Sequence, residues 1–179
     1  NARMIKEQLE NYTNENPDRK IWIISFSKGG NDCLHFLKKH PEFSNEKIAG
    51  LSTIATPILG SNKATDHTFL KLLAKFRNID LVKNMTEQSD LLLKELHESL
   101  KDNVRKGWFY RNHKFLPEGI FYTSLAMEAK WYESHIWMML TKFLLQSSKR
   151  NDGVVDIDCA HFPDYFGSMN LGVLEGHHL

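Results

Sequence analysis

Residues 25–30, Ser-Phe-Ser-Lys-Gly-Gly, break an apolar run that then resumes with helix-like spacing. A serine hydroxyl is a weak nucleophile at neutral pH. It becomes a useful one with a base in hydrogen-bond reach, an acid orienting that base, and donors aimed at the developing oxyanion. A sharp strand-to-helix turn written Gly-x-Ser-x-Gly lifts such a serine above a sheet, and its small residues let strand and helix nearly touch. Here Ser25 stands at the first glycine place, Ser27 at the nucleophile place, and Gly29 and Gly30 follow. The backbone N–H of Lys28, opening the next helix, would supply one oxyanion donor. The alternative for Ser27 is an ordinary serine at the end of a strand.

Three later segments carry further chemistry-bearing residues. In Leu-Ser-Thr-Ile-Ala-Thr-Pro-Ile-Leu-Gly-Ser (51–61), Pro57 drives Thr56 into an extended conformation and Gly60 permits a turn. Asn151-Asp152-Gly153 is turn chemistry. Near the end, Gly176 begins a loop carrying His177 and His178. Taken alone, these read as a strand-ending loop, a turn and a solvated histidine pair. Cys33 and Cys159 form no zinc or CxxC spacing and read as buried thiols, with one disulfide as the other option. His97, His113, His135 and His161 lack metal-ligand spacing and read as solvated or core residues. No metal and no cofactor is implied.

The elements that must position these residues follow from periodicity. Ala2, Ile5, Leu9 and Tyr12 recur at three- and four-residue intervals and predict an opening amphipathic helix, ended by Asn-Glu-Asn-Pro-Asp. Ile21 to Phe26 is a nearly continuous apolar run, the pattern of a parallel strand covered on both faces. Helix spacing returns from Gly30 to Lys39 through Leu34 and Leu37 and closes at His-Pro-Glu-Phe. Ile48 to Ala55 predicts a second strand. Strand, helix, strand implies a right-handed crossover and α/β architecture. Two helical stripes come next: Phe69, Leu72, Leu73 and Phe76, then Leu92, Leu93, Leu96 and Leu100. A third strand is expected over Ile120 to Leu125, a helix through Trp131, Trp137, Met138, Phe143 and Leu144, and a last strand over Asn170 to Leu174.

With the serine turn after one strand and Thr-Pro-Ile-Leu-Gly-Ser after the next, the chain resembles the α/β-hydrolase fold. Within it, the bacterial lipase-like and esterase-like members are the most similar. The resemblance implies a mainly parallel sheet flanked by helices. Residues 1–60 and 119–179 would form the later half of the core, and 61–118 a helical insertion placed where many lipases carry a lid. In lipase-like hydrolases a similar Asn-Asp-Gly-Val segment carries the triad acid, which implies that role for Asp152, with Glu128 the weaker candidate. The base of this fold sits on the loop after the last strand. That implies His178, with His177 as the alternative. Asp156 and Asp158 are expected to be surface carboxylates, with a calcium role as the other option. The order Ser27, Asp152, His178 is that of α/β-hydrolases and differs from those of chymotrypsin and subtilisin.

Composition narrows the function classes. Hydrophobic residues at 41% and charged residues at 25% are those of an ordinary globular protein, and 179 residues suffice for one core. A net charge of +1 gives no electrostatic footprint for nucleic acid. No apolar run approaches the roughly 20 residues that span a bilayer, and the polar first ten do not read as a signal peptide. In a complete hydrolase several strands precede the nucleophile, whereas one helix does here. An upstream part of the same polypeptide is therefore expected, as is an exposed apolar sheet edge. The leading expectation is a serine hydrolase that cleaves a carboxylic ester, with an acyl ester or lipid as substrate. The competing ones are acyl transfer or thioester cleavage with the same residues, and a silent hydrolase-fold binding domain.

Overall fold

A computed structural model of the chain describes residues 1–61, 99–130 and 150–178. Helix α1 (Ala2–Glu15) opens the chain. Ala2, Ile5 and Leu9 lie against the core, while Tyr12 stays exposed. Strand β1 (Ile21–Phe26), helix α2 (Lys28–Lys39), helix α3 (Pro41–Lys47) and strand β2 (Ile48–Ile54) follow. The short α3 is not foreshadowed by periodicity. Pro41 sits in its first turn, where a missing N–H leaves no helical bond unmade, so the proline that closes α2 also starts α3. Helix α4 (Asp102–Asn112), a single 3₁₀ turn at His113–Phe115, strand β3 (Phe121–Glu128), the one-turn helix α5 (Ile157–Ala160) and strand β4 (Met169–Glu175) complete the described elements.

The sheet runs β1-β2-β3-β4 with every neighbouring pair parallel. Each connection therefore steps the same way, and right-handed crossovers stepping one way stay on one face. The core lies on that face. Leu34, Phe36 and Leu37 of α2 pack with Ile48 and Leu51 of β2, Tyr122 of β3, and Phe109 and Phe162. On β1, Ile21 and Ile23 join this cluster, whereas Trp22, Ile24 and Phe26 point away and are exposed, Ile24 at 71%. The apolar run of β1 is thus covered on one face among the described residues, not on both, and its alternation is hidden because both faces are apolar. Edge strand β4 likewise exposes Met169, Leu171 and Leu174.

The segment 61–118, expected as a helical insertion, is described only in part. Residues 62–98, with the stripes at Phe69 to Phe76 and Leu92 to Leu96, lie outside the described residues, as does 131–149 with Trp131 to Leu144. His97 and His135 fall in the same two segments. From α4 onward the chain is core: Phe109 is fully buried against Phe162 and Phe166, and Leu116 and Ile120 join the same cluster. Of the aromatics at 107–115, only Tyr110 and Phe115 are strongly exposed. Cys33 and Cys159 are both buried, and burial pushes the Cys33 thiol up to about 11. Among the described residues no helix is long and apolar enough to cross a membrane.

Candidate active site

Ser27 sits between β1 and α2 with φ 51° and ψ −134°. A side chain at positive φ costs of order 1–3 kcal/mol, so the surrounding structure must enforce it. Three contacts do so. The Ser27 N–H donates to the Ile54 carbonyl at 2.9 Å, which extends the β1–β2 ladder by one bond. The Gly30 N–H donates to the Ser27 carbonyl at 3.1 Å, closing the first turn of α2. Behind the turn, Thr56 is fully buried against Gly30, and a Cβ on Gly30 would lie 2.3 Å from its Oγ1. The glycine is required because two backbones meet there through the Thr56 side chain. Ser25, in the place of the first glycine, is accommodated: its hydroxyl donates to the Ser52 carbonyl at 3.1 Å.

The loop after β4 brings His178 to this turn. Its Nε2 lies 2.7 Å from Ser27 Oγ and its Nδ1 2.6 Å from Asp152 Oδ2. A carboxylate only accepts, so Nδ1–H donates to Asp152 and Nε2 accepts from the serine hydroxyl. Asp152 is 1% exposed. Its Oδ1 accepts from the N–H groups of Val154 (2.9 Å) and Val155 (2.8 Å), so the Asn-Asp-Gly turn and the carboxylate are one device. Gly153 at φ 103° lets the chain fold back for these bonds, and the His178 N–H donates to the Asp152 carbonyl at 3.1 Å. Three side chains from distant parts of the chain thus form one hydrogen-bonded line. Such a line can pass a proton from serine to imidazole while the carboxylate fixes the opposite N–H. The first N–H groups of α2, Lys28 among them, have no helical partner by construction, and Ser27's own N–H is already engaged.

The other candidates fall elsewhere. His177 makes no hydrogen bond to Ser27 or Asp152, and its Nδ1 is buried without a partner among the described residues. Glu128 pairs with Arg150, the Nε donating to both oxygens at 2.9 and 3.0 Å. Asp158 is exposed, but Asp156 is buried at the start of α5, where its carbonyl receives the Cys159 and Ala160 N–H groups, so it is not a surface carboxylate. The Lys28 side chain is tied to Asp32 at 2.8 Å rather than free in solvent. His113 and His161 are hydrogen-bonded to the Tyr110 carbonyl and to Ser124 Oγ.

Periodicity alone does not reveal a polar clasp behind the turn. Asn31 of α2 donates to the Pro57 carbonyl (3.0 Å), and Arg105 of α4 donates to Asn31 Oδ1 (2.7 Å) and to His35 Nε2 (3.2 Å). The guanidinium lies 4.7 Å from the Trp108 ring. Arg105 is 3% exposed, and burial pulls it down to about 10. Desolvation and then the Arg105 charge hold His35 down at about 4. A signal was available: Arg105 stands four residues before buried Phe109, on the inward stripe of α4.

The chain is similar in fold to several solved structures. Lipase BlEst2 of Bacillus licheniformis, in its mature form, superposes with a TM-score of 0.71 at 21% identity over 99% of this chain and 65% of its own. The metagenomic carboxyl esterase MGS0156 gives 0.73 at 26% identity over 100% and 50%. EstA of Clostridium botulinum gives 0.59 at 13% over 89% and 58%. The chain thus spans about half to two thirds of these structures. A search of curated proteins finds none that matches. The family model of lecithin:cholesterol acyltransferase matches residues 2–135, a span that includes Ser27 and Thr56-Pro57 and stops before Asp152. With well over half of its residues matched and its sheet shared with lipases and esterases, the chain belongs to the lecithin:cholesterol acyltransferase family, on the α/β-hydrolase fold.

Proposed function

We propose that the protein is a serine hydrolase that cleaves a carboxylic ester through an acyl-enzyme. The observation that carries this reading is the line from Ser27 Oγ through His178 to Asp152, at 2.7 and 2.6 Å, built on a serine held at positive φ. Ser27 attacks the ester carbonyl while His178 Nε2 takes its proton. Asp152 holds the imidazole in the tautomer that leaves Nε2 free and stabilises the imidazolium that forms. The Lys28 N–H, at the positive end of α2, donates to the oxyanion. His178 then protonates the leaving alcohol. Water enters and attacks the acyl carbon as His178 removes its proton. His178 then returns that proton to Ser27 Oγ as the Oγ–acyl bond breaks and the acid departs.

A second reading changes the acceptor and keeps the residues: an alcohol in place of water gives acyl transfer. It is favoured by the family match, since that family is named for an acyltransferase. One experiment covers both. With a p-nitrophenyl ester, the natural polypeptide should release p-nitrophenol in a burst of one equivalent per site, and Ser27→Ala should abolish it. An added alcohol should appear in a new ester only if transfer is the reaction. Ester turnover that survives Ser27→Ala would overturn the proposal.

A further inference from the structure

Phe26 has a position that its place in the serine turn does not require. It is the last residue of β1, its side chain points to the sheet face away from α2, and it remains half-exposed. Its ring lies 5.0 Å from the His178 imidazole, centroid to centroid, with the planes 39° apart. The two hydrogen bonds of His178 leave from opposite ring nitrogens, to Asp152 and to Ser27. Two such bonds fix a line through the imidazole, and the ring can still roll about that line. A contact from outside the line limits the roll, and Phe26 supplies one.

We infer that Phe26 is a positioning residue for His178: it holds the imidazole plane and favours the imidazolium that forms as Ser27 attacks. The inference rests on the hydrolase reading of the same site. The second effect follows from the ring quadrupole, which attracts a cation within about 6 Å of the centroid and does little for a neutral imidazole. The attraction therefore grows as the proton moves from Ser27 Oγ to Nε2, and only such differential interactions speed a chemical step. Leucine of similar bulk fills the space without the quadrupole, whereas tyrosine keeps it.

The test compares Phe26→Leu, Phe26→Tyr and the natural protein. For inactivation by a fluorophosphonate, Phe26→Leu should lower the limiting first-order rate about two- to fivefold with the half-saturating concentration unchanged. Phe26→Tyr should recover most of that rate. A structural role alone would lower the melting temperature and leave this pattern absent. A second readout needs no activity: the low-field NMR signal of the His178 Nδ1–H, held by Asp152, should exchange with solvent faster in Phe26→Leu and not in Phe26→Tyr. A limiting rate in Phe26→Leu equal to wild type, with Ser27 still labelled, overturns the inference and leaves the hydrolase reading standing. If the natural protein takes no label, the hydrolase reading fails, and equal Nδ1–H exchange in wild type and Phe26→Leu overturns the inference separately.

Discussion

Gly30→Ala is the smallest change that should disable the site without touching a reacting atom. The new methyl group would meet Thr56 Oγ1 at 2.3 Å, Cγ2 at 2.6 Å and Cβ at 2.9 Å. Rotating the threonine exchanges its two branches but leaves its Cβ in place, so no rotamer clears the overlap. Thr56 is fully buried, and the next carbonyl, that of Pro57, is held by Asn31. The backbones must therefore separate by about 1 Å, and the first turn of α2 carries Ser27 with it. Overpacking of this kind costs about 1–3 kcal/mol, partly offset by up to about 1 kcal/mol from the higher helix propensity of alanine. The melting temperature should fall by about 2–8 °C. Displacing the nucleophile by about 1 Å should cost about 100-fold in reactivity. The assays are fluorophosphonate labelling rate and thermal melting by circular dichroism. Adding Thr56→Gly, which removes all three contacts, should restore much of both, and a double-mutant cycle measures the coupling. Labelling within threefold of wild type in Gly30→Ala, with an unchanged melting temperature, would refute the close-approach argument.

The remaining predictions concern the residues around this turn. Asp152→Asn should keep the fold while its amide stabilises the wrong imidazole tautomer, lowering kcat by about 10³–10⁴-fold; steady-state kinetics beside a thermal melt separates the two effects. Arg105→Met, which keeps the bulk and fills the space but leaves Asn31 Oδ1 without its donor, should cost about 1–3 kcal/mol. Arg105→Ala should cost about 2–4 kcal/mol, because it opens a cavity and strips Asn31 Oδ1 of its donor; urea denaturation tests both. His35 has a folded value near 4 against 6.5 when unfolded, so the unfolded chain binds the extra proton between those values. Its contribution is therefore complete above about pH 6.5 and is lost as pH falls toward 4, when protonated Nε2 can no longer accept from Arg105. The ring is partly open to solvent, so the loss is discounted to about 1 kcal/mol. His35→Gln should flatten the stability profile in that window.

Much of the candidate site's geometry was legible because its signals are local. Ser27, Asp152 and His178 each stand in a short pattern whose turn chemistry also builds the geometry, as when Gly153 lets Asp152 receive two N–H groups. The strands were legible for the same reason, since β1, β2 and β4 begin or end within a residue or two of their apolar runs. What stayed hidden depends on tertiary contact. The uncovered face of β1 cannot be read from Ile-Trp-Ile-Ile-Ser-Phe, because strand order decides which alternate residues find a helix. Arg105 reads as a solvated charge until α4 docks it on Asn31. The segment 61–118 suggested a cap by position, yet Phe109 within it belongs to the core. Phe26 became visible as a partner of His178 only once β4 lay beside β3 and carried its loop across the sheet.

The most direct measurement is to react the natural polypeptide with a fluorophosphonate and locate the adduct by peptide mass spectrometry. One phosphonyl group on Ser27, lost in Asp152→Asn and His178→Ala on the same timescale, is the predicted result. An adduct on any other residue, or labelling of Ser27 that is indifferent to His178, would contradict the account.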